Sequence, residues 1–350
     1  MKVLQRRFPL SLADMAHRLA QSVGGVLMLH RIVPPGLFSP LRDMRDLELA
    51  PEFLARLLSL CRKVGYEFIP VSELPTKLAA NSRNKPYIAV TIDDGYLDNL
   101  KFALPVFDAL DVPFTVFVTT GLINGRVRPW WYDLQSHVMG VEEIRLKSDD
   151  GSAEKLLRCT TCVEKESAYN HLYRKVVAAR EGWQDVMAAI ELPAEQCDYK
   201  RSGNSLFMNW DELRELAAHP MVEIGAHTVS HPRLVWLDEE RCRLELTESR
   251  LELEAELGRP VVSVAYPHGS ERDVPAGISK LARDSGYIIG FTTIPRHLNA
   301  RDGDRLLTLP RVGIGDSRDG LWGNLAWILG WPQHFNAGLC SRLRAVEDFR

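Results

Sequence analysis

Apolar and polar positions along the chain fall into segments whose periods predict strands and helices in turn. The short apolar runs Val26–Leu29, YIAVTID from Tyr87 and FTVFVT from Phe114 are typical of buried strands. Amphipathic stretches such as PEFLARLLSLCRKVG separate them and predict helices. The alternation returns after Asn209, with a long charged helix that ends at Gly258. Seven or eight strands joined by helical crossovers predict an α/β fold, a closed or nearly closed (β/α) barrel.

One segment interrupts this rhythm. It follows the aromatic cluster WWYD and contains a charged stretch, EEIRLKSDDG, which could form a small hairpin, and a helical region over Val163–Ile190. We interpret it as an insertion in one barrel loop because it shows little apolar periodicity of its own. The predicted organisation is a helical segment over 1–23, a barrel over 24–318 with an insertion at about 134–207, and an aromatic tail over 319–350.

The aromatic tail carries Trp322, Trp327 and Trp331. Two interpretations are open, a segment that closes over the core and an interfacial membrane anchor. We favour the packed position because exposed apolar patches are uncommon, and keep peripheral membrane contact as the alternative.

Composition narrows the possible classes of protein. The chain has 350 residues, 45% of them hydrophobic, and a formal net charge of -3, which gives no reason to expect a nucleic-acid partner. Its apolar runs are shorter than the ~18 residues of a membrane span. The run GGVLML is too short and too late for a secretory signal, so we expect a cytoplasmic protein. The six cysteines are scattered, and Cys159 and Cys162 form a lone C-x-x-C that indicates a metal or redox site only weakly.

Polar residues stand repeatedly where a predicted strand ends. Asp93 and Asp94 follow the strand that begins at Tyr87, and two adjacent buried carboxylates are costly unless a cation lies beside them. Both can face one pocket only if the backbone turns there, which Gly95 permits. Other strands end at His30, at His227 and at the run Tyr266, Pro267 and His268. Because barrel enzymes place their chemistry at this end of the strands, the pattern favours an enzyme.

The two histidines of HTVSH, His227 and His231, are four residues apart. Thr228, Val229 and Pro232 disfavour a helix here, so we expect a tight turn. With an acid from another strand end they make a His₂Asp set, and three protein ligands with open positions are typical of a catalytic metal. Zinc is the expected divalent ion, with iron, cobalt, nickel and manganese as alternatives.

These motifs resemble those of the polysaccharide deacetylases, also called carbohydrate esterase family 4 or the NodB-homology domain. TIDDG at Thr91–Gly95 is similar to the family's TFDDG motif, and HTVSH matches its second motif. The resemblance covers roughly 24–314 apart from the insertion. It implies a distorted (β/α) barrel in which Asp94, His227 and His231 bind the metal and Asp93 is the catalytic base.

The chain departs from the family pattern at two places. VSVAYPHG lacks the usual upstream arginine, and no histidine stands in the last motif near LPRVGI. The general acid must then come from elsewhere. His30 resembles the strand-end histidine of the branch that acts on poly-N-acetylglucosamine, and His268 is the competing candidate. Arg311 is our candidate for the missing arginine that orients Asp93.

The resemblance implies a metal-dependent hydrolase that removes N-acetyl groups from an N-acetylated sugar of a polysaccharide or glycan precursor. The expected cytoplasmic location favours a sugar that is being built inside the cell, such as a lipid-linked or nucleotide-linked precursor. An O-deacetylase or deformylase with the same metal site, and a catalytically silent glycan-binding barrel, stay open as alternatives. We expect Trp131 and Tyr266 against a sugar ring and a backbone N–H near Tyr96 at the oxyanion. The remaining candidate substrate contacts are Asp133, Pro267, His268 and Arg311.

Overall fold

The structure is a computed structural model of the chain. It describes residues 11–19, 22–80, 85–147, 154–180, 186–188, 206–315 and 320–330. Of the predicted tail, residues 320–330 are described, whereas residue 319 and residues 331–350, which include Trp331, lie outside the described residues.

The strands that the structure describes belong to one large sheet and two small ribbons. They are Gly24–Leu29 (β1), Arg31–Ile32 (β2), Glu48–Leu49 (β3), Glu67–Phe68 (β4), Tyr87–Ile92 (β5), Phe114–Val118 (β6), Glu143–Lys147 (β7), Glu154–Arg158 (β8), Val222–Ala226 (β9), Ser263–Ala265 (β10), Ile289–Phe291 (β11) and Val312–Gly313 (β12).

The helices of the described residues cover the outside of the large sheet and build the insertion. They are Leu12–Leu19 (α1), Arg42–Arg45 (α2), Pro51–Val64 (α3), Leu74–Ala79 (α4), Leu104–Ala109 (α5), Thr120–Ile123 (α6), Trp130–Gly140 (α7), Cys162–Ala178 (α8), Trp210–Ala217 (α9), Glu239–Leu257 (α10), Ile278–Asp284 (α11) and Gly320–Ile328 (α12). A π-helix over Asn99–Ala103 leads into α5, and 3-10 helices span Pro35–Leu37, Val71–Glu73, Leu234–Trp236 and Ala300–Thr308.

The large sheet is parallel and follows the order β11-β10-β9-β6-β5-β1-β12, with β4 added to β5. Its register places Leu27 of β1 beside Val90 of β5 on one side and Val312 of β12 on the other. The sheet curls until its two edges meet, where the backbone N–H of Leu309 donates to the Gly290 carbonyl at 2.8 Å. The predicted distorted (β/α) barrel is therefore confirmed.

Alternation along the strands separates two apolar layers. In β5, Ala89 packs inside the barrel with Phe117 and Phe291, whereas Val90 and Ile92 face the helices. This period of two is the geometry of a strand buried on both faces. It explains why β5 has an almost uninterrupted apolar sequence.

The insertion packs into a second hydrophobic cluster, which also contains residues from outside it such as Tyr96 and Leu122. Leu134 and Val138 of α7 pack with Leu172 and Val176 of α8, at the spacing of four that faces one side of a helix. The predicted hairpin is present as the antiparallel pair β7 and β8. Two cysteines of the insertion, Cys159 and Cys162, are free thiols, the first buried and the second exposed.

The part of the aromatic tail that the structure describes packs against the barrel. Leu325, Ile328 and Leu329 are buried in the main core, with Trp322 and Trp327 partly buried beside them. Among the described residues, no helix combines the length and the apolar character that crossing a membrane requires.

A buried hydrogen-bond network fixes this last helix. The Tyr66 hydroxyl donates to the Ile328 carbonyl at 2.7 Å, and His297 donates to the same carbonyl at 2.9 Å. Because its proton is donated to that carbonyl, the Tyr66 hydroxyl oxygen acts as the acceptor of a second hydrogen bond, from His17 Nε2 at 2.6 Å. Burial lowers the pKa of His17 from 6.5 to about 4, so the neutral ring can also accept from Ser22.

Replacing Tyr66 by Phe should destabilise the protein by about 1–3 kcal/mol, because the buried His17 N–H loses its acceptor and the Ile328 carbonyl keeps only the hydrogen bond from His297. Tyr87→Phe is the matched control, since the Tyr87 hydroxyl is buried without a hydrogen-bond partner among the described residues and its loss should be neutral. Urea unfolding of both variants measures the difference. Equal losses would show that the Tyr66 hydrogen bonds do not hold α12.

Candidate metal centre and active site

The end of β5 turns two adjacent carboxylates toward one pocket. Asp93 continues the inward-facing positions of Ala89 and Thr91, as the period of the strand requires. Asp94 would face outward, but its φ of 77° and the φ of 85° at Gly95 reverse the chain. The predicted turn is therefore present and begins at Asp94 itself, one residue before the glycine.

Asp94 meets the two histidines of HTVSH. Its Oδ1 atom lies 3.4 Å from His227 Nε2 and 3.3 Å from His231 Nε2, and the three candidate ligand atoms are all within 4.8 Å of one another. His227 donates from Nδ1 to the Ala265 carbonyl at 2.7 Å, which leaves Nε2 to face the carboxylate. Asp94 Oδ1 is buried and has no hydrogen-bond partner among the described residues.

The protonation states fit a divalent cation. Burial, chiefly, lowers the pKa of His227 from 6.5 to about 4, so the imidazole is neutral at pH 7. Burial alone would raise the pKa of Asp94, but His231, His30 and His227 lower it, so the carboxylate is ionised. Neutral imidazole and ionised carboxylate are the forms that bind metal. An orphaned buried carboxylate oxygen aimed at two imidazoles therefore fits a metal ion between them, with nitrogen and oxygen donors that several metals accept.

Backbone strain concentrates at this site. Six non-glycine residues of the described chain have a positive φ, and four of them are Asp94, Thr228, His231 and His268. Such conformations persist only where the surroundings impose them, and they are common at functional sites. The predicted turn in HTVSH is thus a strained one.

Glu245 of α10 holds that turn, and sequence reasoning missed it. Its carboxylate accepts from the backbone N–H groups of Val229 at 2.8 Å and Ser230 at 2.9 Å. The helix contains many glutamates, so no sequence signal distinguishes this one.

Asp93 pairs with Arg311 from the segment before β12. The guanidinium donates to both carboxylate oxygens at 2.7 Å, and it also donates to the Thr292 carbonyl at 3.1 Å. Burial alone would raise the pKa of Asp93, but Arg311 and His227 lower it. This is the partnership that we hypothesised for Arg311. A contact between Arg311 and substrate is not supported, because its side chain is completely buried.

The two candidate acids lie on different sides of the carboxylates. The Asp93 N–H donates to the Leu29 carbonyl at 3.0 Å, which places half-buried His30 next to Asp93, and the nearby His30 contributes to lowering the pKa of both carboxyls. His268 packs against His231, with ring centroids 4.9 Å apart. Burial, His231 and Arg233 lower the pKa of His268 well below 6.5.

The chain after His30 is anchored by residues that the sequence did not single out. Arg31 donates to Asp98 at 2.8 Å and to Glu48 at 3.1 Å, and Asp98 also accepts from the Ile32 N–H. Asn99 donates to the His30 carbonyl at 3.0 Å. These contacts fix the backbone that carries the His30 ring.

Among the predicted substrate contacts, Trp131 faces an open surface. It is half-buried, its ring centroid is 5.4 Å from that of His231, and it lines a cleft of about 450 Å³ together with His231 and His268. Tyr266 does not. Its ring is completely buried and its hydroxyl donates to the Leu307 carbonyl at 2.8 Å, so the expectation that it stacks on a sugar is wrong.

Three further candidates also have buried side chains. Tyr96 stacks on Phe207 with ring centroids 4.7 Å apart, Asp133 pairs with Arg128, and Pro267 is buried. Tyr96 could therefore contact substrate through its backbone N–H, as expected, but Asp133 and Pro267 have no accessible side-chain surface to offer.

Removing Arg311 should leave a buried, unpaired charge. We expect Arg311→Leu to destabilise the chelator-treated protein by roughly 3–5 kcal/mol, and Asp93→Asn in the same chain to recover part of that loss. The control is Arg214→Leu, whose ion pairs are exposed and should contribute little to stability. Denaturant unfolding of the wild type, the two single variants at Arg311 and Asp93 and the double variant gives the coupling energy, and strictly additive losses would contradict the pairing.

Comparison with known proteins agrees with this geometry. The polysaccharide deacetylase family model matches residues 80–288. The fold is similar to Streptococcus pyogenes deacetylase PplD in complex with acetate, with a TM-score of 0.55, 19% identity, and 87% of this chain and 97% of that chain covered. It is also similar to IcaB from Ammonifex degensii, with a TM-score of 0.55, 20% identity, and 88% and 97% covered.

The BpsB deacetylase domain from Bordetella bronchiseptica has a TM-score of 0.50 and 18% identity, with 83% of this chain and 95% of that chain covered. At these identities the solved structures show a shared fold. A search of curated proteins found no significant match. Because the family model spans more than half of the chain, the protein belongs to the polysaccharide deacetylase family.

Proposed function

We propose that the protein is a metal-dependent N-deacetylase that hydrolyses the acetamide of an N-acetylated sugar in a polysaccharide or glycan precursor. The family supports an acetylated sugar as the substrate. The observation that carries the proposal is the convergence of Asp94, His227 and His231 on one point, beside a second carboxylate, Asp93, that is not needed as a ligand.

A divalent ion bound to these three residues would polarise the acetyl carbonyl and lower the pKa of water from about 15.7 to about 7. Asp93 is the group that takes the proton from the attacking water. Arg311 donates one hydrogen bond to each carboxylate oxygen of Asp93. Because a carboxylate has about four lone-pair sites, Asp93 can still accept a hydrogen bond from the attacking water. Arg311 is in this view a positioning residue that keeps Asp93 ionised and oriented.

His30 is the proposed general acid. An amine leaves as an unstable anion unless it is protonated, so amide cleavage requires a proton donor on the leaving-group side. His30 lies beside Asp93, on the opposite side from the ring of His268 against His231. The backbone N–H of Tyr96 is the proposed hydrogen-bond donor to the acetyl oxygen, which becomes an oxyanion when water adds to the acetyl carbon.

The metal assignment predicts that His227→Ala and His231→Ala each lose most of the bound ion. His219→Ala is the control, because that half-buried histidine lies near Asp108, away from the site. Elemental analysis of the three purified variants measures the occupancy. Full occupancy in both site variants would remove the basis of the assignment.

The base assignment predicts that Asp93→Asn keeps its metal but loses turnover by about 10²–10⁴-fold. Acetate release from a panel of N-acetylated glycans and their O-acetylated counterparts measures activity. Release from O-acetyl sugars alone would favour the O-deacetylase alternative, and no release from any substrate would favour a binding protein. Loss of metal in Asp93→Asn would show that Asp93 is itself a ligand.

The acid assignment predicts selectivity between leaving groups. His30→Ala should lose far more activity on an N-acetyl sugar than on an activated acetate ester, since the ester has a good leaving group that needs little protonation. His268→Ala should have a milder effect that is similar on both substrates. The reverse pattern, with an unchanged metal content, would make His268 the acid.

A further inference from the structure

The cleft beside the candidate metal centre is rich in arginine. It has a volume of about 450 Å³, and His231, His268 and Trp131 are among the residues that line it. It is also lined by arginines from the loop before α7, the end of α8, the segment after HTVSH and the first turn of α10, namely Arg126, Arg128, Arg180, Arg233 and Arg241.

Five arginines and one acidic residue, Glu245, are among the described residues that line the cleft. The Glu245 carboxylate keeps its charge but is turned toward the backbone N–H groups of Val229 and Ser230 and the Ser230 hydroxyl. The chain as a whole carries a formal net charge of -3. The group of arginines in this cleft is therefore a local feature of a chain whose overall charge is negative. A concave surface rich in arginine attracts anions.

Three of the arginines form ion pairs with acidic side chains that do not line the cleft. Arg128 pairs with Asp133, and the side chains are 43% and 1% exposed, respectively. Arg233 pairs with buried Asp273, and Arg126 pairs with Glu252. A guanidinium has five N–H donors in a fixed fork, so an arginine anchored by one ion pair can still bind an anion with its other donors. The acids thus order the arginines without covering them.

Arg233 shows this most directly. It follows the HTVSH turn, its guanidinium lies 5.4 Å from the ring centroid of Trp236, and its Nε atom is buried without a hydrogen-bond partner among the described residues. Because that atom has almost no accessible surface, an anion in the cleft would contact the terminal N–H groups of Arg233, whose side chain is 21% exposed.

The position of the cleft relates it to the sugar. His231 belongs both to the metal triad and to the cleft wall, and Trp131, whose ring centroid is 5.4 Å from that of His231, lines the same cleft as the arginines. A sugar whose acetamide is at the triad and whose ring is against Trp131 would extend its next substituent toward the arginines.

We propose that this cleft binds a phosphate or diphosphate group attached to the sugar that is deacetylated. The inference rests on the proposed function and narrows its substrate to a phosphorylated glycan precursor. Guanidinium forks match phosphate oxygens in charge and geometry. A neutral polymer would leave the arginines without a ligand.

The first test compares matched substrates. The metal-loaded enzyme is assayed on N-acetylhexosamine linked to a nucleoside diphosphate, linked to a short isoprenyl diphosphate, or carried as a neutral methyl glycoside. We expect a lower KM for the diphosphate substrates, and the better of the two identifies the carrier. Equal kcat/KM on charged and neutral sugars would overturn the proposal. A sugar that contains a uronate is assayed as a further anionic substrate, and a preference for it over both diphosphates would also overturn the proposal.

The second test removes arginines. In Arg180→Gln and Arg241→Gln, KM for the diphosphate substrate should rise by about tenfold for each lost contact, with little change on the methyl glycoside. Arg243→Gln is the matched control, since this arginine stands two positions along α10, pairs with Glu239 and does not line the cleft. Equal KM values in the cleft variants and the control would count against the cleft.

A binding measurement separates this inference from the proposed function. Calorimetric titration of the full-length protein with methyl phosphate and with a nucleoside diphosphate requires no turnover. Metal chelation by the anion is common to the wild type and the arginine variants, so weaker binding in the variants reports the arginines alone. If these variants bind more weakly while no sugar is deacetylated, the proposed reaction fails and the anion site stands. Unchanged binding would refute the anion site whatever the activity.

Discussion

Two neighbouring carboxylates buried at the end of β5 are the constraint on which the site depends. Each would be destabilising without positive charge nearby, and the fold supplies a different partner for each. Asp93 receives a guanidinium, and Asp94 receives two imidazoles whose arrangement leaves room for a cation. The different partners give adjacent, chemically identical side chains different properties, which is how one pair of acids can provide both a base and a ligand.

The barrel is what brings these partners together. Arg311 is 218 residues from Asp93 in the chain. Strand β1 lies between β5 and β12, so residues at the ends of those two strands can meet across it. The histidines arrive from β9, on the other side of β6. The site therefore needs the curled sheet, and a loss of register at β12 would remove the Asp93 partner even if every other strand were intact.

The cleft is built differently from the metal centre. The triad stands on strand ends and on a strained turn, whereas the cleft wall with Trp131 and the arginines comes from the loop before α7, from α7, from the end of α8 and from the segments after HTVSH. Chemistry on rigid strand ends and recognition on loops and added segments is the usual division in barrels of this type. Helices α7 and α8 pack in a hydrophobic cluster apart from the main core, so they can hold their part of that wall without contributing to the barrel core.

The sequence by itself determined the barrel, the hairpin and most helices, because apolar period reports burial locally. It also identified Asp93, Asp94, His227 and His231, because strand-end position and motif spacing are local features. The left-handed start of the turn at Asp94, the burial of Tyr266 and the role of Glu245 were decided by the tertiary structure. So was the assembly of five arginines into one cleft. In each case the outcome depends on which distant segment packs opposite a residue, and sequence patterns contain no information about that until the chain closes the barrel.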